Sequence, residues 1–423
     1  MLKIIRENPE KVRENIARKN EKADISPIIE LDANRRAIIQ EVEKLKNTRN
    51  VATQEIALLK KNKQNADEKI AEMKQVSDKI KSLDDELREI EEKLEEMVQA
   101  VPNMLHESVP TGKTADDNVV IRSWGDPKND GEYLDHIEIC RRFGLIDFER
   151  GAKVSGSGFH FYTAAGAKLE RGLISYMLDF HSEKSGYTEI IPPFMVNEES
   201  MRGTGQLPKM AEDMYTMQID NMYMIPTAEV PLTNFYSQNL IPIEELPVRF
   251  CGYSPCFRRE AGSYGKDTRG LLRLHQFNKV ELVKFVQPEG SYDELEALTL
   301  DVEKILQALK IPYRVILLCS GDTSFSSAKT YDIEVWSPAD KKWLEVSSCS
   351  NFEDFQARRA GIKYKPTPNS KPEAVHTLNG SGLATPRLLA AILENYYDKD
   401  SNTLKVPEEL QAYTRFSEIK PIC

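Results

Sequence analysis

The stretch from Leu31 to Val101 contains neither glycine nor proline, and charged residues dominate it. In its second half, apolar residues recur at alternating steps of four and three, a heptad spacing that predicts helices packed along one apolar seam. The first half repeats this spacing less regularly. The second-half seam comprises Val76, Ile80, Leu83, Leu87, Ile90, Leu94, Met97 and Val101, and the first-half seam comprises Leu31, Ile38, Val42, Leu45, Ala52, Ile56 and Leu59.

A polar segment, KKNKQNADEK at 60–69, separates the two halves and predicts a chain reversal. Two helices of roughly 30 residues would each be about 45 Å long at 1.5 Å per residue. We therefore expect a long antiparallel coiled-coil arm at about 28–100, within an N-terminal domain at 1–110.

Charge is unevenly divided along this arm. Residues 28–63 carry a net charge of +3, and residues 64–98 carry −6. An ordinary solvated coiled coil with paired charges accounts for this pattern. Contact of the basic helix and the tip with a phosphate backbone accounts for it as well. The periodicity does not decide between these two interpretations.

The whole chain has 423 residues, of which 40% are hydrophobic and 29% charged, a composition that excludes disordered, collagenous and small disulfide-rich classes. The net charge of −10 excludes a generally basic coat, so nucleic-acid binding would need a local patch. No run of ~20 apolar residues predicts a membrane span, and the first residues lack the apolar core of a signal peptide. The scattered cysteines suit a reducing cytosol, so we expect a cytoplasmic protein. They are Cys140, Cys251, Cys256, Cys319, Cys349 and Cys423.

Residues 102–120 are typical of a linker, and residues 111–423 of a mixed α and β domain. Several predicted strands follow one another without intervening helices, which favours an antiparallel sheet. No GxGxxG or GxxxxGK[ST] motif indicates a Rossmann or P-loop nucleotide site. The predicted strands are 189–196, 249–260, 274–286, 313–319, 330–338 and 342–351, and the predicted helices are 165–186, 291–310 and 385–397.

The segment CFRREAGSYGKDTRGLLRLHQFNKVEL at 256–282 predicts two strands joined by a polar, glycine-rich loop. Arg258 and Arg259 stand at the end of the first strand, where guanidinium groups can bind phosphate or carboxylate oxygens. Phe277 lies on the second strand, where its ring can stack on a base. The alternative is a long hairpin whose charges only solubilise its surface.

The segment NGSGLATPRLLAAILENYY at 379–397 predicts a glycine-rich turn leading into an amphipathic helix. Arg387 stands near the helix start, where a cation opposes the macrodipole by about 0.3–1 kcal/mol. Such a position indicates a second partner for Arg387. That partner is either an anionic ligand or a carboxylate of the protein.

Together with the predicted helix 165–186 and EIIPPF at 189–194, these segments resemble the three signature motifs of class II aminoacyl-tRNA synthetases. PTAEVPL at 226–232, LEVSSCSNFEDFQARR at 344–359, HTLNGSGLATPR at 376–387 and the helical arm resemble the seryl-tRNA synthetase family more specifically. The resemblance covers essentially the whole chain.

The resemblance assigns roles to individual residues. Arg258 and Arg387 correspond to the catalytic motif arginines, and Glu345 and Ser348 to ligands of ATP-bound Mg²⁺. The family more often carries Ser at the position of Arg259, so its own role stays open. Serine contacts are implied for Thr227, Ala228 and Glu229, the TAE segment that matches the family's serine-binding strand. They are also implied for Arg258, Glu281 and Ser381. ATP contacts are implied for Arg258, Arg259, Glu260, Phe277, Glu345, Val346, Ser347, Ser348 and Arg387.

The resemblance further implies an α+β fold, an antiparallel sheet flanked by helices, and a serine–tRNA ligase using L-serine, ATP and tRNA(Ser), with tRNA(Sec) left open. It implies a homodimer formed through helix 165–186, and a loop, 261–270, that reaches the tRNA acceptor end through Lys266 and Arg269. No zinc is expected, because no suitable Cys/His/Glu cluster is evident. We expect His275 and His376 to pack or form hydrogen bonds.

Two alternative functions remain. A ligase that loads an amino acid onto a carrier protein would lack a tRNA-binding arm, which this chain has. A non-catalytic coiled-coil interaction protein would not need Arg258, Glu281, Glu345 and Arg387.

Overall fold

The computed structural model describes residues 1–261 and 269–422. The chain divides into two compact units, Met1–Pro102 and a second unit that begins at Asn103. The helices of the first unit are α1 (Leu2–Glu7), α2 (Pro9–Arg18), α3 (Ser26–Lys61) and α4 (Asp67–Gln99).

Helices α3 and α4 form the antiparallel hairpin that the heptad spacing predicts. Ile38, Val42, Ile80, Ile90 and Leu94 of the seam are buried, and the other seam residues are buried or half-buried. Ion pairs join the start of α3 to the end of α4 and the end of α3 to the start of α4, as antiparallel packing requires. These pairs are Arg35–Glu91 at 2.9 Å, Glu41–Lys79 at 2.5 Å, Lys46–Asp84 at 3.4 Å and Glu55–Lys69. The predicted arm and its reversal are therefore confirmed.

The second unit combines a large sheet with helices and several small sheets. Its helices are α5 (His136–Phe143), α6 (Phe148–Ser155), α7 (Ala164–Lys184), α8 (Glu198–Thr204), α9 (Glu229–Asn234), α10 (Ser291–Ala308), α11 (Phe355–Ala360), α12 (Thr385–Tyr396) and α13 (Glu408–Thr414). Its strands are β1 (Val119–Trp124), β2 (Ile146–Asp147), β3 (Phe161–Tyr162), β4 (Thr188–Glu189), β5 (Met195–Asn197), β6 (Thr216–Met217), β7 (Met222–Met224), β8 (Leu240–Ile241), β9 (Val248–Phe257), β10 (Gln276–Val286), β11 (Tyr313–Leu317), β12 (Lys329–Ser337), β13 (Lys342–Asn351), β14 (Lys363–Tyr364), β15 (Glu373–Ala374), β16 (His376–Ala384), β17 (Tyr397–Asp398), β18 (Thr403–Lys405) and β19 (Glu418–Ile419).

The large sheet has eight strands in the order β1-β11-β12-β13-β16-β10-β9-β4. All neighbours pair antiparallel except β4, which pairs parallel with β9. The predicted antiparallel sheet flanked by helices is confirmed. In this order β10 lies between the two strands that carry the arginine and glycine motifs.

Two glycines of the NGSG segment let helices pack directly on β16. A Cβ on Gly380 would come within 2.4 Å of Leu298 on α10, and a Cβ on Gly382 within 2.9 Å of His181 on α7. Ser381 lies between them, and its side chain alternates to the opposite face of the sheet. Helices α7 and α10 therefore cover one face of the sheet here, and the site lies on the opposite face, where Ser381 points.

The single strand predicted at 189–196 is wrong. The structure has β4 and β5 there, separated by Pro192 and Pro193, which lack the N–H groups that a strand ladder needs. The strand predicted at 249–260 ends at Phe257, so Arg258 begins the following turn. None of the helices in the described ranges combines the length and hydropathy that a bilayer crossing requires.

Candidate active site

One face of β10 supplies the centre of the site. Phe277, Lys279 and Glu281 each lie two positions from the next, so their side chains are on the same face of the strand. All three line cavities on the open side of the sheet. Lys279 was not among the residues expected from the sequence. In the sequence FNKVE, Lys279 alternates with Phe277 and Glu281, and this alternation indicates that Lys279 shares their face of the strand.

At one end of the site, Glu281 is fully buried and engages two neighbours. Its Oε2 accepts a hydrogen bond from Thr227 Oγ1 at 2.9 Å and pairs with Lys279 Nζ. Lys279 Nζ also donates to Thr227 Oγ1 at 2.9 Å. Glu281 Oε1 has no hydrogen-bond partner in the described chain, and Glu281 lines the cavity. Ser381 stands directly opposite Glu281 across the β10–β16 pair.

The TAE segment is not a strand, contrary to the expectation from the resemblance. Helix α9 begins at Glu229, and Thr227 and Ala228 form the turn before it. Thr227 Oγ1 accepts a hydrogen bond from the Glu229 backbone N–H at 3.2 Å, which stabilises this turn. Ala228 is buried in a second apolar core and does not line the cavities.

Glu229 is a buried carboxyl beside Glu281. Its Oε1 accepts a hydrogen bond from Gln356 Nε2 at 2.6 Å. Burial, and next the negative charge of Glu281, raise the pKa of Glu229 to about 7. The pocket can therefore change its charge near neutral pH.

Arg258 and Phe277 meet in the middle of the site. The Arg258 guanidinium lies 5.2 Å from the centre of the Phe277 ring, and its Nε donates to the Pro226 carbonyl at 3.3 Å. His275 Nδ1 donates to the Arg258 carbonyl at 2.9 Å, so this histidine fixes the backbone of the arginine. An anion-binding group and an aromatic ring are thus presented to the same ligand.

The residues that follow Arg258 have different environments. The exposed Arg259 does not line either cavity. Glu260 adopts a left-handed backbone with φ of 52°, and its carboxylate accepts from Arg273 Nε at 2.6 Å. Arg273, which the sequence expectations omitted, lines both cavities. Of the loop 261–270, Lys266 lies outside the described residues, and Arg269 is exposed.

Arg387 in the first turn of α12 is held by groups on two sides. Its Nε donates to the Leu272 carbonyl at 3.0 Å, and its Nη1 donates to the Glu345 carbonyl at 2.9 Å. The same Nη1 lies 3.5 Å from Glu345 Oε2, so the arginine does reach a carboxylate of the protein. Both side chains stay about a third to a half exposed, which leaves room for an anion.

Glu345 and Ser348 lie on β13 beside a register shift against β12. The extra residue of a bulge brings side chains three positions apart to one face, and both residues line the same cavity. Opposite Ser348 stands Asp332, a further acidic residue that the sequence expectations omitted. Burial, and then Glu345, raise the pKa of Asp332 well above its usual range.

Two cavities form the site, of about 290 and about 390 Å³. The first contains Phe277, Val346 and Arg387, and the second contains Thr227, Glu229 and Ser348. Ser347 lies behind them, and its hydroxyl donates to the Ser381 carbonyl at 2.6 Å. The two cavities adjoin each other and share six lining residues, which are Arg258, Glu260, Arg273, Lys279, Glu345 and Ser381.

An antiparallel sheet carrying an arginine on a β hairpin and another at a helix start defines a class II aminoacyl-tRNA synthetase. Residues 215–396 match the model of the tRNA synthetase class II core domain (G, H, P, S and T), and residues 2–105 match the seryl-tRNA synthetase N-terminal domain. The chain belongs to the seryl-tRNA synthetase family.

Similar proteins agree with this placement over the full length. The chain is 56% identical to a serine–tRNA ligase of Halothermothrix orenii, with 99% of each chain covered. It is 52% identical to that of Prosthecochloris aestuarii, covering 99% of this chain and 98% of the relative. The crystal structure of Pyrococcus horikoshii seryl-tRNA synthetase complexed with ATP covers 100% of both chains, with a TM-score of 0.94 and 37% identity.

Proposed function

We propose that this protein is a serine–tRNA ligase: it activates L-serine with ATP and transfers the seryl group to the 3′ end of tRNA(Ser). The observation that carries this proposal is that the two cavities adjoin and share six lining residues. One end offers two arginines and an aromatic ring, which suit ATP. The other end offers the unpartnered Oε1 of Glu281, which suits the ammonium or hydroxyl of serine. The use of tRNA(Sec) is left open.

In the activation step the serine carboxylate attacks the α-phosphorus of ATP, and pyrophosphate leaves. The carboxylate is already ionised at pH 7, so no general base is required. The work of the site is to bring the two anions together in line and to stabilise the charge that develops between them. Arg258 lines both cavities, which supports a role for its guanidinium between the proposed serine end and the proposed phosphate end.

Recognition of serine follows from the buried groups at the other end. An analogue that lacks the hydroxyl leaves a buried hydrogen-bonding group without a partner, and such a site rejects it strongly. A methyl group, by contrast, is worth only about 1–3 kcal/mol, so threonine must be refused by the size of the pocket. We assign the serine contacts to Thr227, Glu229, Glu281 and Ser381, and Lys279 to holding Glu281.

Mg²⁺ accompanies ATP in this proposal, with Glu345 and Ser348 as its protein ligands. The buried Asp332 Oδ1, which has no hydrogen-bond partner in the described chain, adds another oxygen near Ser348. Oxygen donors of this kind suit Mg²⁺, which usually takes one or two carboxylates and fills its coordination with phosphates and water. When bound, the ion supplies charge neutralisation on the phosphates. No three His, Cys, Asp or Glu side chains of residues 1–261 and 269–422 group as metal ligands, which fits a site completed by the nucleotide.

We further propose that the arm binds tRNA, that the enzyme is a homodimer and that it acts in the cytoplasm. The basic groups of α3 support contact with a phosphate backbone. The exposed Ile191 and Phe235, close to the edge strand β4, support a subunit interface. The buried free thiols of Cys140, Cys251 and Cys349 suit a reducing compartment.

Pyrophosphate exchange with each of the standard amino acids tests the proposal. Serine alone should support exchange. Arg258→Ala and Arg387→Ala should each lower serine-dependent exchange by ~10²-fold or more, since each removes charge stabilisation from the transition state. Arg150→Ala is the matched control, because this arginine is exposed and forms an ion pair with Asp147, three residues away. Near-normal exchange in both active-site variants would contradict the catalytic roles assigned to Arg258 and Arg387.

A further inference from the structure

A buried carboxyl on α7 forms hydrogen bonds with two structural elements of the site, on the side of the sheet opposite the cavities. Glu170 is only 4% exposed, and its Oε1 accepts a hydrogen bond from Asn278 Nδ2 at 2.8 Å. The Thr385 hydroxyl donates to the same oxygen. Thr385 Oγ1 also lies 3.1 Å from the Asn278 carbonyl, and Tyr253 donates to Asn278 Oδ1 at 3.0 Å. One carboxyl thus joins α7, β10 and the first residue of α12.

Both partners of Glu170 adjoin residues that we assign to ATP. Asn278 follows Phe277 on β10, and its side chain points to the helix-covered face while the Phe277 ring faces the cavity. Thr385 begins α12 two residues before Arg387. A displacement of either partner would therefore move the ring or the guanidinium.

The burial of Glu170 makes this connection rigid. Burial raises the pKa of its carboxyl to about 7, so near neutral pH much of it is uncharged. A neutral, hydrogen-bonded group avoids the cost of a buried unpaired charge. The hydrogen bonds that Glu170 Oε1 accepts from two elements also favour one arrangement of those elements.

We propose that Glu170 is a positioning residue for ATP, which acts through Asn278 and Thr385 to place Phe277 and Arg387. This inference rests on the proposed function, because it takes ATP as the ligand of that cavity. Serine binding depends on it less, because the hydrogen bonds of Thr227 join it to Glu229, Lys279 and Glu281.

Glu170→Ala and Glu170→Gln separate positioning from general stability. In pyrophosphate exchange, Glu170→Ala should raise the KM for ATP about tenfold or more and change the KM for serine less than about threefold. Glu170→Gln should restore the KM for ATP to within about threefold, because an amide oxygen still accepts both hydrogen bonds. Equal increases for both substrates, or no rescue by glutamine, would overturn the proposal.

A matched control is Glu394→Ala. Glu394 is a buried carboxyl near the other end of α12, and it binds His136 at 3.0 Å and Ser337 at 2.5 Å. Its loss should lower the melting temperature yet leave the KM for ATP within about twofold. If Glu394→Ala raised the KM for ATP as much as Glu170→Ala does, any buried defect in α12 would be enough to impair ATP binding. That result would overturn a specific role for Glu170.

Thr385→Val keeps the test valid if Glu170→Ala fails to fold. It removes one hydroxyl from the same network and should raise the KM for ATP in the same selective way. In the double variant with Glu170→Gln the two effects should be less than additive, because both act on one contact. An unchanged KM for ATP in Thr385→Val would overturn the proposal. Absence of serine-dependent exchange in the unmodified protein would instead overturn the proposed function itself.

Discussion

Glu281 has one carboxylate oxygen held by Thr227 and Lys279, while its Oε1 has no hydrogen-bond partner in the described chain and the residue lines the cavity. This arrangement orients the free oxygen before any ligand arrives, so little is lost in ordering it on binding. Lys279 contributes the counter-charge that makes the burial of this carboxylate tolerable. The pair is therefore best regarded as one functional unit.

Replacing Glu281 should impair serine use selectively. Glu281→Ala should raise the KM for serine by ~10²-fold or more, since the pocket loses its hydrogen-bonding group. Isothermal titration should show ATP binding nearly unchanged. Glu281→Gln keeps the packing and serves as a second variant, and Glu303→Ala removes a comparably buried carboxyl that binds Arg122. Loss of ATP binding with serine binding retained would contradict the role given to Glu281.

Glu229 should make serine binding depend on pH. Its pKa of about 7 means that it takes up a proton as the pH falls through neutrality. The pocket then loses a negative charge near the site proposed for the serine ammonium group, and binding weakens. The KM for serine should therefore rise about threefold or more between pH 8 and pH 6.

Glu229→Gln is the informative comparison, because glutamine preserves the contact with Gln356 but does not titrate. Its KM for serine should stay nearly constant over the same interval. The KM for ATP, measured in parallel, reports effects of pH on the rest of the site. A serine KM that falls on acidification, or an equal slope in the variant, would show that Glu229 does not control the pocket.

At the scale of elements, the arm can be predicted from the local spacing of its apolar residues. The heptad steps alone predict the α3–α4 hairpin, because its apolar contacts repeat along the two helices. The sheet is different, since pairs such as Glu281 with Ser381 join residues far apart in the chain. The sequence predicts that antiparallel strands exist, but their order requires the folded structure.

The residues of the site also differ in how well the sequence predicts them. Arg258 and Arg387 stand in recognisable segments, whereas Glu170 and Asp332 acquire their environments only through packing against distant elements. The turn at Thr227 was missed for a related reason. A six-residue helix such as α9 is too short to show a helical period, and EVPLTN contains a proline that argues against one.

Removing the arm should separate the two half-reactions. A variant with Asn34 to Leu94 replaced by a short Gly/Ser bridge should keep serine-dependent pyrophosphate exchange, since every residue assigned to activation lies in the second unit. It should fail to charge tRNA(Ser). Full charging by this variant would show that the arm is not required for tRNA binding.

The whole molecule carries a net charge of −10, so its approach to tRNA depends on local basic groups. The free energy of that contact is dominated by counterion release, which makes affinity fall as salt rises. Activation of serine involves no such polyanion. Aminoacylation is therefore the more salt-sensitive of the two reactions in this proposal.

The proposed dimer can be tested at the β4 edge. Ile191 is 80% exposed, and Phe235, which is also exposed, contacts Phe250 on the adjacent strand. Ile191→Asp combined with Phe235→Asp should produce monomers in analytical ultracentrifugation, because buried unpaired charges oppose association. Ile219→Asp, at a 98% exposed position in the turn between β6 and β7, should leave the dimer intact. Dimers that persist in the double variant would place the interface elsewhere.

The strand order of the large sheet determines when the sheet can be completed during synthesis of the chain. Strand β16, at residues 376–384, lies between β13 and β10, both of which leave the ribosome earlier. Until β16 has emerged, the β1-β11-β12-β13 half and the β10-β9-β4 half lack the strand that joins them. Their inner edges then present unpaired backbone groups, which are open to wrong partners. The arm, whose contacts close within the first 102 residues, has no such interval. A nascent chain of this protein thus completes its first unit early and its sheet almost last.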